Sequence, residues 1–193
     1  MTMATLSLKI TDKLDLYSVR SIKVGMGEYA ISTDPHILST WALGSCMALI
    51  IYEPIMRIGG LAHAMLPSSK GKQGQPGRYV DSAVELMIET LCQMGAKKRN
   101  LASAAVGGAT IFNFSGELAI GKKNIDATRE QLNRNSIPMI FKEMGGNRGR
   151  NVVFDLATGE ILVSVSKPPL ERREQNGSPL KLVVACSAKS TTI

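Results

Sequence analysis

No apolar run in this sequence approaches the roughly 18 residues that a membrane-spanning helix needs, so direct membrane insertion is not expected. Met1 to Lys9 also lack the basic start and continuous apolar segment of a secretion signal, and a cytoplasmic location is the expectation. Cysteine is scarce: Cys46, Cys92 and Cys186 are widely spaced and form no CxxC pair. They read as reduced thiols and not as a disulfide framework. There are 2 histidines and no clustered cysteines, which leaves no set of metal ligands, and no cofactor is expected. Aromatic residues make up only 5% of the chain, too few for a surface that stacks on single-stranded nucleic acid.

What is present fits a soluble globular protein. At 193 residues the chain suits one domain with a core that needs no staple, and a hydrophobic fraction of 44% is ordinary. The net charge of +7 comes from scattered residues whose densest groups are short: Lys97-Lys98-Arg99, Arg148 with Arg150, and Arg172-Arg173. Such a surface steers acidic partners and does not make a nucleic-acid site.

Residues 1–20 are polar with irregular apolar spacing and read as an N-terminal extension. Ile22 to Ser32 is strand-like but interrupted by Gly25 and Gly27, and Asp34-Pro35 marks a turn, with His36 read as a turn residue. From Asp81, apolar residues Val84, Met87, Ile88, Leu91 and Met94 recur at helical spacing, with Asp81 as the expected cap and Gly95 as the stop. Cys92 falls near that stripe and reads as packing. Leu101–Val106 is a small-residue strand, and a second helix is expected from about Ile125 to Asn135. Ile137–Phe141, Val152–Phe154 and Ile161–Val163 follow as strands, the last two joined by a turn over Asp155–Glu160. Gly107-Gly108 and Gly145-Gly146 lack the Walker lysine pattern and read as tight backbone packing. Residues 167–193 read as a tail in which Leu182–Ala185 could dock as a short strand. Strands outnumber helices without regular βαβ alternation, so the fold class is α+β.

The chemistry concentrates in Ser39-Thr40-Trp41-Ala42-Leu43-Gly44-Ser45-Cys46, where a Gly-Ser step sets a thiol at the entrance to a buried strand. His63 follows within Gly59-Gly60-Leu61-Ala62-His63-Ala64. If Cys46–Tyr52 and Arg57–Leu66 form a hairpin, a four-residue loop over 54–57 opposes residues whose numbers sum to 111. His63 then faces Ala48, the same-face neighbour of Cys46. A two-residue loop at 54–55 would instead put His63 opposite Cys46. Both registers leave thiol and imidazole on one face, at a Cβ separation between about 5 and 8 Å. A cysteine activated by an imidazole is the core of a cysteine hydrolase, with backbone N–H groups around Gly44, Ser45 and Cys46 as donors to an oxyanion.

Several ordered blocks then show a resemblance. They are Gly25-Met-Gly-Glu-Tyr-Ala-Ile-Ser, Leu43-Gly-Ser-Cys46, Gly59-Gly-Leu-Ala-His63-Ala-Met-Leu-Pro67, Arg78-Tyr-Val-Asp81, Gly107-Gly-Ala109, Gly121-Lys-Lys-Asn124 and Gly145-Gly-Asn-Arg-Gly-Arg150. From about Lys23 to Val165 the chain resembles the CheD family of chemoreceptor glutamine deamidases. The resemblance implies a layered α/β/β sandwich with mixed sheets, related to deamidases of the cytotoxic necrotizing factor type, over a domain at 21–166. It also implies a catalytic set of Cys46, His63 and Thr40. Thr40 is singled out by the resemblance alone, and its role as orienter of His63 or holder of the substrate amide stays open.

The implied substrate is glutamine on methyl-accepting chemotaxis proteins, converted to glutamate through a cysteine thioester, with glutamyl methyl ester as a second possible substrate. The alternative is a docking module that binds chemoreceptors or a CheC-like phosphatase without chemistry. Trp41-Ala42 stands where the family commonly has an aromatic-Gly pair. Alanine reaches positive φ less cheaply than glycine, so this departure bears on loop geometry.

Overall fold

A computed structural model describes residues 20–72, 74–110 and 118–166. Most of the N-terminal extension, the loop holding Phe112, Phe114 and Gly116, and the whole 167–193 tail with Cys186 lie outside the described residues. The elements run β1 (Ser21–Lys23), β2 (Tyr29–Thr33), β3 (Ile37–Leu43), β4 (Met47–Glu53), β5 (Ile58–Ala64), α1 (Val80–Gln93), β6 (Ala102–Gly107), α2 (Leu118–Arg134), β7 (Met139–Met144), β8 (Arg150–Asp155) and β9 (Ile161–Val165).

The strands form two mixed sheets, one ordered β1-β3-β8-β9 and the other β2-β5-β4-β6-β7. The break at Gly25 and Gly27 explains how one strand-like stretch serves both. Its first part pairs in parallel with β3, and its second pairs antiparallel with β5 in the other sheet. Around β4 and β5 the period-two alternation of side chains builds two separate interiors. Met47, Leu49, Ile51, Ala62 and Ala64 face the helices, packing with Val84, Met87 and Leu91 of α1 and Leu132 of α2. Ala48, Ile50, Tyr52 and Leu61 face the second sheet and pack with Leu38, Val152, Phe154 and Val163. The order of layers is therefore helices, five-stranded sheet, four-stranded sheet. This is the α+β sandwich that the residue pattern and the resemblance predict.

Tyr52 ties the two sheets together. Its ring meets Phe154 edge-on at 5.2 Å, and its hydroxyl donates to the Leu156 carbonyl at 2.8 Å.

The hairpin adopts the four-residue loop: Glu53 pairs with Ile58 and Met47 with Ala64. Glu53 closes its turn by accepting the Met56 N–H at 2.6 Å. The β8–β9 hairpin forms as read, its turn stabilised by Asp155 Oδ1, which accepts the Ala157 N–H at 2.8 Å. His36 closes a turn as expected, its N–H donating to the Thr33 carbonyl and its Nδ1 lying 2.8 Å from Ser32 Oγ.

Three local expectations change. Helix α1 starts on Tyr79 without a side-chain cap, because the Asp81 carboxylate accepts bonds from Ser68, Ser69 and Ser82. Cys92 is exposed, and is not part of the apolar stripe. Helix α2 begins at Leu118, seven residues before the expected start, because the buried face of its early turns carries Gly121, Asn124 and Thr128 instead of aliphatics.

Candidate active site

Thr40 and His63 come from different sheets and meet in the space between them. His63 lies two residues after Leu61 on β5, on the same face, and so points away from the helices, and only 1% of it is exposed. Thr40, fully buried on β3, places its Oγ1 2.7 Å from His63 Nδ1 and 2.8 Å from the Val24 carbonyl oxygen. A carbonyl only accepts and a hydroxyl has one proton. The Thr40 hydroxyl therefore donates to Val24 and accepts from His63, so the imidazole carries its proton on Nδ1. Nε2 is left as the bare, basic nitrogen. It is buried and has no partner among the described residues.

Cys46 lies at the entrance to β4, two residues before Ala48, which pairs with His63. It is half-buried and packs against the interior between the sheets, the same interior into which His63 points. Burial raises its thiol pKa, with its own backbone N–H pulling the other way. Burial lowers the pKa of His63. Desolvation thus disfavours charge on both groups.

The loop that presents the thiol is held by its carbonyls. The Gly44 oxygen accepts from the Ala109 N–H at 2.8 Å, the Ser45 oxygen from Asn124 Nδ2 at 2.8 Å, and the Cys46 oxygen from the Gly108 N–H at 2.8 Å. With the carbonyls turned to that side, the Ser45 N–H has no acceptor among the described residues, and the Cys46 N–H acts on its own thiol. The close approach requires Gly107, where φ is 124° and a Cβ would collide with the Cys46 carbonyl. Gly107-Gly108 is tight backbone packing, as read from the sequence.

Ala42 does adopt the left-handed conformation, with φ at 59°. The β3–β8 register slips by one residue between Thr40 and Leu43, so Trp41 and Ala42 together oppose Asn151. Asn151 Oδ1 accepts the Ala42 N–H at 2.9 Å and secures the bulge. The bulge turns the chain between Thr40 and the Gly44–Cys46 loop, while Trp41 is left 51% exposed.

Pro67 and Ser69 wall a cavity of about 530 Å³ with Asp81, Glu85, Lys123 and Glu130, and none of Thr40, Cys46 and His63 lines it. No group of three or more potential metal-binding His, Cys, Asp or Glu side chains occurs among the described residues. No helix among them is long and apolar enough to cross a membrane.

Residue-by-residue reading does not find the contact of Asn124 with the Gly44–Cys46 loop. The available signal was the spacing of Gly121, Asn124 and Thr128, which marks one face of α2 as small and polar. All three are buried.

The family described as CheD chemotactic sensory transduction matches residues 65–165, a segment that begins just after His63. The chemoreceptor glutamine deamidase CheD of Thermotoga maritima is 40% identical over 140 residues, 72% of this chain and 88% of that protein. The probable chemoreceptor glutamine deamidase CheD of Thermococcus kodakarensis is 37% identical over 166 residues, 84% of this chain and 98% of that protein. Its counterpart from Pyrococcus abyssi is 37% identical over 146 residues, 74% of this chain and 90% of that protein. A family match over half the chain, and relatives of this identity aligned over most of its length, make the chain a member of the CheD family.

Proposed function

We propose that this CheD-family enzyme deamidates glutamine side chains of chemoreceptors in the cytoplasm, with Cys46 as nucleophile, His63 as base and acid, and Thr40 as the group that orients His63. The observation that carries the reading is the Thr40–His63 bond, which directs the proton to Nδ1 and leaves Nε2 bare in the interior shared with Cys46. The proposed catalytic domain spans 21–166.

The reaction follows from these atoms. The Cys46 proton moves to His63 Nε2 as sulfur attacks the carboxamide carbon, and the carbonyl oxygen becomes an oxyanion facing the N–H groups of Ser45 and Cys46. The C–N bond then breaks, ammonia leaves with the proton from Nε2, and a thioester remains. Water gives a proton to Nε2 and attacks the thioester carbon. Sulfur departs, takes that proton back, and glutamate is released. A glutamyl methyl ester would enter the same acyl intermediate with methanol as leaving group.

Burial disfavours charge on both groups, which favours proton transfer that accompanies attack. The test is incubation with a chemoreceptor cytoplasmic domain followed by peptide mass analysis. A gain of about 1 Da at specific glutamines is expected, as amide becomes acid. Unchanged conversion by Cys46→Ala would refute the mechanism.

A docking role is favoured by one observation. Met26 and Trp41 are 67% and 51% exposed on segments joined through the Thr40–Val24 bond, so apolar surface borders the site. Receptor or CheC-like phosphatase pulled down equally by Cys46→Ala, with no ammonia released by the intact protein, would make docking the principal function.

A further inference from the structure

The Cys46 loop and the end of β5 are tied together by a single side chain. Asn124, fully buried on α2, donates from Nδ2 to the Ser45 carbonyl at 2.8 Å and to the Met65 carbonyl at 3.0 Å. Ser45 immediately precedes the thiol, and Met65 lies two residues beyond His63. An amide nitrogen carries two hydrogens, so each carbonyl receives one. The opposite amide orientation would turn an oxygen toward two oxygens, so the two carbonyls fix which way the group faces.

The location gives the contact its meaning. The β4–β5 ladder ends with Met47 paired to Ala64, and the next rung would join Cys46 to Met65. Cys46 turns its carbonyl to the other neighbour, accepting the Gly108 N–H in line with the β4–β6 register, so no backbone bond joins it to Met65. Asn124 spans the two chains just beyond the last β4–β5 pair. Its helix is itself seated firmly. Gly121, one turn earlier, approaches so closely that a Cβ would stand 2.8 Å from the Gly108 carbonyl oxygen. Thr128, one turn later, donates to the Asn124 carbonyl at 2.8 Å.

We propose that Asn124 is a positioning residue, whose carboxamide bridges the two chain ends beyond the last β4–β5 pair and sets the separation of the Cys46 thiol from His63. The proposal rests on reading Cys46 and His63 as a working pair. Aspartate at this position would face both carbonyls with oxygen, and alanine or leucine would leave both without a donor. The two strand ends would then part at the point where the thiol must stay near Nε2.

The test measures the thiol and needs no receptor. Carbamidomethylation of Cys46 by iodoacetamide is followed against pH by peptide mass analysis of the full chain, with exposed Cys92 as internal reference. In the wild type, neutral His63 takes the Cys46 proton as sulfur attacks, so Cys46 is labelled at pH values below those where the isolated thiol ionises, and His63→Ala removes that component. Asn124→Leu, which keeps the branched shape, and Asn124→Ala should both lower Cys46 labelling at neutral pH about tenfold and convert its profile to that of an isolated thiol. Cys92 labelling should not change. If Asn124→Ala does not fold, Asn124→Leu carries the same readout.

A wild-type Cys46 profile in the Asn124 variants overturns the proposal, even if their melting temperature falls, because that is a purely structural role. If His63→Ala alters the profile and Asn124→Leu does not, the pair stands and Asn124 alone is misassigned. If His63→Ala has no effect, the pair is refuted and the proposal falls with it.

Discussion

The two faces of the five-stranded sheet are built from the same strands and do different work. Toward the helices, β4 and β5 present Met47, Leu49, Ile51, Ala62 and Ala64, an aliphatic layer closed by α1 and α2. Toward the second sheet they present Tyr52 and His63 among their apolar residues, and opposite them β3 brings Thr40, which is buried without exposure. Period-two alternation separates packing from chemistry, one residue apart along one chain. Had the hairpin slipped by one residue on one strand, His63 would face a helix and lose Thr40. The four-residue turn closes one end of the hairpin, and Asn124 bridges the Ser45 and Met65 carbonyls at the other.

Mutations should separate the faces. On the chemical face, Cys46→Ala is expected to reduce deamidation by at least about 10³-fold, measured as ammonia release, with little change in melting temperature. On the packing face, Leu49→Ala should do the reverse. Removing a side chain that is 2% exposed is expected to cost about 2–5 kcal/mol in denaturant unfolding, with kcat retained per folded molecule. Thr40→Val keeps the shape and removes the tie to Nδ1. It should lower kcat about 10²-fold with KM nearly unchanged, while Thr40→Ser restores most of it. If Thr40 instead holds the substrate amide, KM will carry the loss.

A smaller effect concerns protons. The pKa of His63 is lowered in the folded state, so the unfolded chain takes up this proton first as pH falls below about 6.5. The stability contributed by keeping His63 neutral is complete above that pH and is lost as pH falls toward the folded-state value. His63→Gln should flatten this part of the stability–pH curve. The smallest effect is at the bulge. Ala42→Gly relieves a left-handed alanine and should stabilise the fold by about 1 kcal/mol in the same unfolding measurement, leaving kcat unaltered.

The legible parts of the fold were those that the alternation itself encodes. Residues Met47 to Ala64 gave the hairpin, both possible registers and the shared face of Cys46 and His63, because apolar period and turn length leave few solutions. Thr40 could not be placed by spacing. Its contact with His63 joins strands of different sheets, and nothing local records which sheets stack. Val24, whose carbonyl fixes the Thr40 proton, was invisible for the same reason, since a backbone group has no residue type. The early turns of α2 were missed because Gly121, Asn124 and Thr128 make a buried polar face, and an apolar period cannot find one. At Ala42, the departure from a glycine pattern pointed to the residue that sits at positive φ. That signal came from the family resemblance and not from the spacing of residues.

The central claim is that Thr40 fixes the His63 tautomer so that Nε2 faces Cys46 as a base. The direct measurement is nitrogen NMR of the His63 imidazole in the intact protein near neutral pH. The account predicts a neutral ring with its proton on Nδ1 and a bare Nε2, and loss of that preference in Thr40→Val. A neutral ring protonated on Nε2, or one indifferent to Thr40, would contradict it.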